Sequence, residues 1–190
     1  MLDIKYIQNN TTANVIYFKE LMSTQVFAKE NVKNIKDKTV VVTDYQTNGH
    51  GTHGRIWHTE KSKNITMTLI LKPNCDLKKL NGYTLKIAEF IQEFIQERYK
   101  IDLKIKEPND LLLNNKKICG ILVECKTSGQ LVNEIYIGIG FNVNEINFNE
   151  ETEKIATSLK KELKEEFSRE EIIIGILNRI LENYTTWSEG

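Results

Sequence analysis

Residues 46–57 read Gln46-Thr47-Asn48-Gly49-His50-Gly51-Thr52-His53-Gly54-Arg55-Ile56-Trp57. This stretch holds three of the ten glycines of the chain and follows the β-branched run at 39–43, which predicts a buried strand. Glycines let a ligand approach the main chain closely, and successive exposed N–H groups in such a turn favour anions. Arg55 offers a guanidinium for a phosphate or carboxylate, and Trp57 offers an indole face for a base. The stretch therefore predicts a loop that binds a ligand with a phosphate and a base, such as ATP.

The spacing of Gly49, Gly51 and Gly54 also fits the glycine pattern of dinucleotide-binding folds. That interpretation needs a helix directly after the last glycine. Residues 55–64 instead carry no apolar stripe at helical spacing and lead into a second strand-like run at 65–71. We therefore exclude a Rossmann fold.

All the histidines of the chain also fall in this region, namely His50, His53 and His58. They suggest a zinc site, but no cysteine lies nearby and their spacing matches none of the usual zinc patterns. Polar loop histidines near a ligand are the simpler interpretation. A plain surface turn is the weaker alternative for the whole loop, because it would not need three glycines followed by Arg55 and Trp57.

The composition is that of one soluble domain, with 190 residues, 40% of them apolar and 27% charged. Lys plus Arg equals Asp plus Glu at 26 each, so the net charge gives no support for bulk attraction to DNA or to a membrane. The three cysteines form no motif, which favours reduced thiols and a cytoplasmic location. Residues 1–6 do not resemble a signal peptide, and no apolar run approaches the ~20 residues of a membrane-spanning helix.

Hydrophobic periodicity predicts strands and helices without a linker or an internal repeat. The predicted strands cover residues 15–18, 39–43, 65–71, 103–106, 118–124 and 131–142. The predicted helices begin at Ser23-Thr24, cover residues 77–99, begin again at Ile155, and run from a capping box at 168–171 to core positions at Tyr184 and Trp187. Because hairpins outnumber βα alternations, the order predicts an α+β fold with a mixed sheet and helices packed mainly on one face.

Polar groups interrupt or end three of these strands. The corner Pro108-Asn109-Asp110 breaks an apolar run and points two short polar side chains inward or toward a ligand. Gly120 inside a strand indicates close approach of a ligand or another backbone. Asn142 ends a strand that contains two glycines, which suggests a site there. Lys117, taken alone, would belong to the solvated turn of a hairpin.

In this order the motifs resemble those of the catalytic domain of the biotin protein ligases, from about Phe18 to Trp187. The matching motifs are Ser23-Thr24, the glycine-rich stretch 46–57, Lys106-x-Pro108-Asn109-Asp110, Lys117-x-x-Gly120-Ile121-Leu122-Val123-Glu124, Gly138-Ile139-Gly140-x-Asn142-Val143-Asn144 and Thr157-Ser158-Leu159. Several motifs in the right order are far more specific than any one of them.

The resemblance implies an ATP-dependent, Mg²⁺-assisted ligation that activates biotin as biotinyl-5′-AMP. The biotin then passes to a lysine of a biotin carboxyl carrier protein of acetyl-CoA carboxylase or a related carboxylase. Both steps need charge stabilisation at phosphate and carboxylate oxygens more than a protein nucleophile. The implied biotin-binding residues are Ser23, Thr24, Gln46, Gly49, Gly51, Lys117 and Gly120. The implied ATP-binding residues are Gly54, Arg55, Trp57, Asn109 and Asn142. Lys117, Asp110 and Arg55 would be catalytic, and Asp110 would also hold the metal.

The chain departs from the family pattern at several places. Gln25 stands where the family has Asn, and Glu107 where it has Trp. His50 and Thr52 stand where the family has the first two arginines of its glycine-rich loop, so Arg55 remains as the permanent cation there. A neutral side chain cannot replace bidentate phosphate contacts. Our hypothesis is that biotinyl-AMP is held more weakly, with slower ligation or leakage of activated biotin.

The resemblance further implies that residues 1–190 form one catalytic domain, without the N-terminal DNA-binding domain or the C-terminal β-barrel domain of many relatives. We expect no DNA partner and no membrane partner. Many relatives dimerise through a sheet edge, so a homodimer stays an open alternative.

Two other functions remain open. Lipoate or octanoate ligases and transferases share this fold, although Arg55-x-Trp57 and the motif of Lys117 and Gly120 favour biotin. A binding module that holds biotin or a nucleotide without ligating it is supported only by the missing arginines, whereas the presence of Lys117 and Asp110 opposes it.

Overall fold

The computed structural model describes the backbone of residues 1–189 and their side chains except those of His53 and residues 185–189. The core position predicted for Trp187 therefore lies outside the described side chains. Over these residues the helices are α1 Ile4–Asn9, α2 Thr24–Asn31, α3 Tyr83–Tyr99, α4 Glu150–Ile155, α5 Leu159–Leu163 and α6 Arg169–Glu189. The strands are β1 Asn14–Phe18, β2 Thr39–Thr43, β3 Ile65–Leu71, β4 Cys75–Asp76, β5 Lys104–Lys106, β6 Asp110–Leu113, β7 Lys116–Ser128 and β8 Leu131–Phe141.

The described strands form one mixed sheet in the order β1-β2-β3-β8-β7-β6-β5, with β4 paired to β8. β1 and β2 are parallel, and the other neighbouring pairs are antiparallel. The turn between β6 and β7 uses Asn114 and Asn115, both at positive φ, which suits a tight hairpin. The α+β class with a mixed sheet is thus confirmed.

Successive side chains of β8 point to opposite faces of the sheet. Ile135, Ile137 and Ile139 are buried in the main core, which also contains residues of α1, α3 and α6. The residues between them, Tyr136 and Gly138 among them, face the opposite side, where α2 packs. Helices therefore cover mainly one face, as predicted, while α2 leaves room for a cavity on the other.

Two of the predicted helices begin at other residues than the sequence predicts. The helix predicted over 77–99 starts at Tyr83, because Gly82 takes a left-handed conformation (φ 73°) after a single 3₁₀ turn. The helix predicted from Ile155 is wrong at that residue: Ile155 ends α4, and α5 begins after Ser158, whose hydroxyl caps it. The short segment between them is extended, and Ala156 pairs with Lys117 at the start of β7.

Helix α6 starts at the predicted cap, although only half of the capping box forms. The Ser168 hydroxyl accepts a hydrogen bond from the Glu171 N–H at 3.2 Å. The Glu171 carboxylate instead pairs with Arg98 of α3 at 2.9 Å. None of the helices described over residues 1–189 is long and apolar enough to cross a membrane.

Candidate active site

A first cavity of about 50 Å³ lies on the sheet face that carries α2. Gly138 and Gly140 of β8 form part of its floor, next to Gly120 of β7. A Cβ atom on Gly140 would lie 2.4 Å from the Trp57 indole, so the indole rests directly on this backbone. The period-two pattern of β8 thus places large side chains in the core and no side chain under the ligand site.

One wall of the first cavity is a fixed glutamine. The Gln46 Oε1 atom accepts hydrogen bonds from the Thr24 N–H at 2.8 Å and the Thr24 hydroxyl at 3.1 Å. The Thr68 hydroxyl of β3 lies 2.9 Å from the Thr24 hydroxyl. These bonds set the amide orientation, so the Gln46 Nε2 atom remains as a donor for a ligand oxygen. Ser23 caps α2 beside this wall and also lines the cavity.

The far end of the first cavity is closed by Gln25, which replaces the family Asn. Its Nε2 atom donates to Glu124 at 3.0 Å, and its Oε1 atom accepts from the Thr68 hydroxyl at 2.9 Å. Glu124 also pairs with Lys29 at 2.5 Å. Burial raises the pKa of Glu124, but the hydrogen bonds from Lys29 and Gln25 outweigh this and lower the pKa overall. The longer amide thus links α2 to β7 across the floor.

Lys117 stands where the first cavity meets a second one. Its Nζ atom lies 2.7 Å from the Asp110 carboxylate and 5.4 Å from the centroid of the Trp57 ring. The two side chains of the ion pair are 29% and 17% exposed, so an entering ligand can reach them. Lys117 lines both cavities, and it can therefore hold an anion at their junction.

The second cavity is about ten times larger, at about 510 Å³, a volume that fits a nucleotide-sized ligand. The glycine-rich loop contributes Arg55 and Trp57, and the end of β8 contributes Asn142. The Asn142 Nδ2 atom donates to the Thr157 carbonyl at 3.0 Å. Apolar side chains complete the wall, among them Phe148 and Ile155.

The glycine-rich loop is closed on itself and anchored at both ends. Within it, the Trp57 N–H donates to the Gly49 carbonyl at 2.9 Å. At its base, the Arg169 guanidinium of α6 donates to the Asp44 carboxylate at 2.8 Å and to the Asn64 carbonyl at 3.2 Å. Arg169 and Asp44 are 6% and 7% exposed, so this is a buried ion pair that ties the two ends of the loop together.

A match to the family model described as the biotin/lipoate A/B protein ligase family covers residues 15–142, more than half of the chain. The chain belongs to this family. It is 40% identical over 167 residues to the bifunctional ligase/repressor BirA of Bacillus subtilis (strain 168), covering 86% of this chain and 51% of the relative. It is 31% identical to a biotin–[acetyl-CoA-carboxylase] ligase of Paracoccus denitrificans, covering 64% of this chain and 51% of that protein.

The present chain is similar to the solved structure of a biotin protein ligase from Aquifex aeolicus in complex with biotin and ATP, with a TM-score of 0.80. The identity is 31%, and the match covers 93% of this chain and 72% of the other. The chain spans about half the length of the curated relatives it matches.

Most of the residues that the sequence predicts for the family site lie around the two cavities. The first cavity is lined by the predicted biotin-binding residues Ser23, Thr24, Gln46, Gly51, Lys117 and Gly120. The second is lined by Arg55, Trp57, Asp110, Lys117 and Asn142. Among the described lining residues of the two cavities, Gly49 and Gly54 are missing.

Two predicted nucleotide residues lie closer to the first cavity than expected. Asn109 lines the first cavity, and its Nδ2 atom donates to the Ile121 carbonyl at 3.0 Å. Trp57 forms a partition between the two cavities, since it lines both and lies against the floor at Gly140. Its stacking on adenine and the nucleotide role of Asn109 stay predictions.

Sequence reasoning missed several site residues. Lys154 and Ile155 of α4 line the second cavity, and their polar surroundings carry no periodic signal. Arg169 was interpreted only as part of a helix cap. The motif of Gly138 and Gly140 predicts no role for these glycines, although their alternation with large apolar residues marks them as floor positions.

Proposed function

We propose that the chain activates biotin with ATP and transfers it to a lysine of a biotin carboxyl carrier domain. The observation that carries this proposal is the position of Lys117, at the junction of a small strand-built cavity and a larger cavity with cationic walls. A carboxylate at the end of an acyl chain in the first cavity would meet the α-phosphate of a nucleotide in the second. Lys117 would face the negative charge of both groups.

In the first step a biotin carboxylate oxygen attacks the α-phosphorus of ATP. The new bond is the acyl–phosphate bond of biotinyl-5′-AMP, and the bond to the departing pyrophosphate breaks. For this step Lys117 must leave the Asp110 carboxylate, at least in part, and turn its ammonium group to the ligand oxygens. Arg55, from the loop, adds a second cation on the nucleotide side.

In the second step the neutral ε-amine of the carrier lysine attacks the acyl carbon, an amide bond forms, and AMP leaves. The amine must lose a proton, and Asp110 is the carboxylate beside this junction that can accept it. The Gln46 amide and the α2 wall would hold the biotin head group, while the Trp57 partition keeps the two ligands in separate cavities.

Mg²⁺ fits this site as an ion held mainly by nucleotide phosphates. In the described part of the chain, no group of three or more His, Cys, Asp and Glu side chains is placed to hold a metal. Mg²⁺ commonly binds through one or two carboxylates plus substrate phosphates, and Asp110 in the second cavity offers one carboxylate. When bound, the ion would neutralise charge on the phosphate oxygens.

We expect the first cavity to widen when biotin binds. Its volume of about 50 Å³ is enough for only a few water molecules. The side chains of Gln25, Trp57 and Lys117 lie against the floor glycines of this cavity, so a change in their rotamers would enlarge it. We therefore expect ligand binding to displace Lys117 from Asp110.

Relatives of this chain support biotin over lipoate. The Paracoccus denitrificans relative is named as a biotin–[acetyl-CoA-carboxylase] ligase, and the Aquifex aeolicus structure is described as a biotin protein ligase in complex with biotin and ATP. A carrier protein of a carboxylase remains the proposed partner. A cytoplasmic location remains a proposal, supported by the free thiols of Cys75, Cys119 and Cys125.

The test is label transfer. The protein is incubated with Mg-ATP, labelled biotin and a biotin carrier domain, and carrier-bound label is measured. Lys117→Ala should reduce the transfer rate by at least ~100-fold, as loss of a preorganised charge donor does. Lys126→Ala, on the same strand but paired with Glu134 away from the site, is the matched control.

Three results would contradict the proposal. Transfer of lipoate in preference to biotin would assign the chain to the other branch of its family. Binding of biotin and ATP without any transfer would identify a binding module. Full transfer by Lys117→Ala would show that the reaction does not depend on Lys117, the residue on which the proposed mechanism rests.

A further inference from the structure

Glu162 of α5 lies outside the described linings of both cavities, yet its carboxylate joins two segments that meet at Lys117. Its Oε1 atom accepts a hydrogen bond from the Thr157 hydroxyl at 2.5 Å. Its Oε2 atom accepts from the Asn114 Nδ2 atom at 2.6 Å, although the two residues are 48 positions apart in the sequence. One oxygen therefore holds the segment before α5, and the other holds the turn between β6 and β7.

These two bonds do not belong to a helix cap. The N-cap of α5 is Ser158, whose hydroxyl accepts from the Lys161 N–H at 3.0 Å. A capping-box carboxylate would come from the third helical residue, which here is Lys161, and would accept from the N-cap N–H. Glu162 follows that position, and neither of its two partners belongs to α5. Stabilisation of α5 alone thus leaves both bonds unexplained.

The surroundings of Glu162 favour its ionised form. Hydrogen bonds from Thr157 and Asn114 are the main reason that the pKa of Glu162 is lowered. Burial opposes this effect, and the charges of Lys116 and Lys164 lower the pKa further. Because an ionised carboxylate only accepts hydrogen bonds, the Thr157 hydroxyl must donate to it. Thr157 is fully buried, so this bond fixes the orientation of its side chain.

Thr157 connects Glu162 to the residues that line the cavities. Its N–H donates to the Lys117 carbonyl at 2.9 Å, and its carbonyl accepts from the Asn142 Nδ2 atom at 3.0 Å. Ala156, the residue before it, also pairs with Lys117 in a parallel β-bridge. A shift of Thr157 would therefore move the backbone of Lys117 and the amide of Asn142 together.

Asn114 holds Lys117 from the other side. It lies at φ 52° in the turn that joins β6 to β7. That hairpin carries both members of the ion pair, since Asp110 begins β6 and Lys117 follows the turn on β7. A fixed turn thus keeps the register between the strand of Asp110 and the strand of Lys117.

We propose that Glu162 is a positioning residue for the reaction, because it holds the two segments that fix Lys117 and Asn142. The role in the reaction rests on the proposed function, whereas the two hydrogen bonds are a property of the fold. A small displacement of a charged group at a reacting centre lowers the rate steeply. The donors of Gln46 and Thr24 lie on other segments, so they should keep their positions without Glu162.

The first measurement separates the rate of biotin activation from biotin affinity. At saturating ATP, Glu162→Ala should lower kcat for the formation of biotinyl-AMP about tenfold, whereas Kd for labelled biotin should change less than about twofold. Glu162→Gln keeps one accepting oxygen, so its loss should be smaller. Active sites are counted by the biotin titration, so a fraction of unfolded protein cannot imitate this result. Glu166→Ala is the matched control, because Glu166 is exposed and pairs with Lys160 of the same helix.

Two further variants test the route of the effect. Thr157→Val removes the hydroxyl, and Asn114→Gly removes the amide while it allows the same left-handed backbone. Combined with Glu162→Ala, each should cost less than the sum of the single effects, because the partners act through the same bonds. Hydrogen exchange at the Thr157 N–H reports its bond to the Lys117 carbonyl, and it should be faster in Glu162→Ala than in the wild type.

The inference would be overturned by a wild-type kcat in Glu162→Ala, or by losses of equal size in kcat and in biotin affinity. Strict additivity with both Thr157→Val and Asn114→Gly, or unchanged hydrogen exchange at Thr157, would overturn it as well. A wild type that forms no biotinyl-AMP would contradict the proposed function. Faster exchange at Thr157 in Glu162→Ala would then still support the positioning of this segment by Glu162.

Discussion

The two cavities that meet at Lys117 are built from different materials. The first stands on strands β3, β7 and β8, and its polar side chains are already bonded to one another, as Gln46 is to Thr24. The second is enclosed by the glycine-rich loop and by α4, and its cations are exposed and mostly unpaired among the described residues. The first, which we call the strand-built cavity, lies mainly on paired strands, and the second, which we call the loop-built cavity, adds the glycine-rich loop and α4 to residues of β5, β6 and β7.

This difference indicates that the two cavities contribute to ligand binding in different ways. A cavity with fixed donors selects a ligand by shape and by a few hydrogen bonds, because any mismatch leaves a buried polar group unpaired. A cavity with exposed cations attracts charge over a longer range but discriminates less. Changes on the strands should therefore alter which ligand binds, whereas changes on the loop should alter how long a charged ligand stays.

The largest effect is expected from the anchor that both cavities share. Arg169→Met leaves the Asp44 carboxylate buried, and among the described side chains the Tyr17 hydroxyl at 2.5 Å remains as its donor. An uncompensated buried charge costs about 3–5 kcal/mol of unfolding free energy. Urea denaturation monitored by circular dichroism measures this loss.

The double variant Asp44→Asn/Arg169→Met is the control, because it removes both charges. It should be more stable than Arg169→Met alone. If the double variant is the less stable of the two, the pair does not act as a charge pair. In either variant, binding in the loop-built cavity should weaken more than binding in the strand-built one.

The next effect should fall mainly on the strand-built cavity. Gly140→Ala places a methyl group 2.4 Å from the Trp57 Cε2 atom, so the indole must leave its position on the floor. Overpacking of this kind costs about 1–3 kcal/mol, equivalent to roughly 5- to 150-fold in biotin affinity. Equilibrium titration with labelled biotin measures it.

A smaller partner residue should reverse part of that loss. In Gly140→Ala/Trp57→Leu the methyl group has space, so the double variant should bind biotin better than the sum of the single changes predicts. Strict additivity would show that the indole is not held against Gly140. Pyrophosphate binding in the second cavity should change little in Gly140→Ala.

How far the sequence could predict this site depends on the range of the interactions. The strand that carries the floor could be predicted, because alternation along β8 and the order of motifs are local signals, although this pattern alone assigns no role to Gly138 and Gly140. The anchor could not, because the contact between Asp44 and Arg169 joins residues 125 positions apart. The local pattern at 168–171 indicated a helix cap and nothing more.

The same limit applies to α4. Residues 145–158 are mostly polar and lack a helical stripe, so the sequence predicted one helix from Ile155 where the structure has two short ones. The position of Lys154 is set by the pairing of Ala156 with Lys117, a contact between distant segments. The short helix α1 gave no signal of its own, since six residues hold less than two turns.

A moderate effect on ligand release is expected at Thr52, a loop residue next to both cavities. Thr52 lines the first and the second cavity, so Thr52→Arg would place a guanidinium at their junction. Charge-assisted, bidentate contacts of Arg should slow the release of biotinyl-AMP about tenfold, roughly 1.4 kcal/mol. Release is measured by chasing labelled biotinyl-AMP with an excess of unlabelled ligand.

Thr52→Lys sharpens this test, because it adds the charge without the planar fork. It should slow release less than Thr52→Arg. Unchanged affinity and release in Thr52→Arg would refute the hypothesis that the loop holds its intermediate weakly. A change in biotin affinity of the same size would place the effect in the strand-built cavity instead.

The smallest effect is expected at Glu145, which accepts a hydrogen bond from Asn64 at the end of the loop. Burial raises the pKa of Glu145, although hydrogen bonds from Asn64 and the Glu60 N–H oppose this; nearby Glu60 raises it further and His58 lowers it. The folded state therefore binds this proton more tightly than the unfolded state. Its contribution to stability is present below the ordinary pKa of 4.5 and is lost as pH rises through the folded-state pKa.

Glu145→Gln removes this titration while its amide oxygen can still accept from Asn64 and from the Glu60 N–H. The variant should gain stability relative to the wild type as pH rises above 4.5. Urea unfolding at several pH values measures the difference. If that difference in stability is the same at every pH, the pKa of the Glu145 carboxyl group does not differ between the folded and the unfolded state. Asn64 would then hold the end of the loop through its bond to the Val143 N–H, at 3.0 Å, and not through the charge of Glu145.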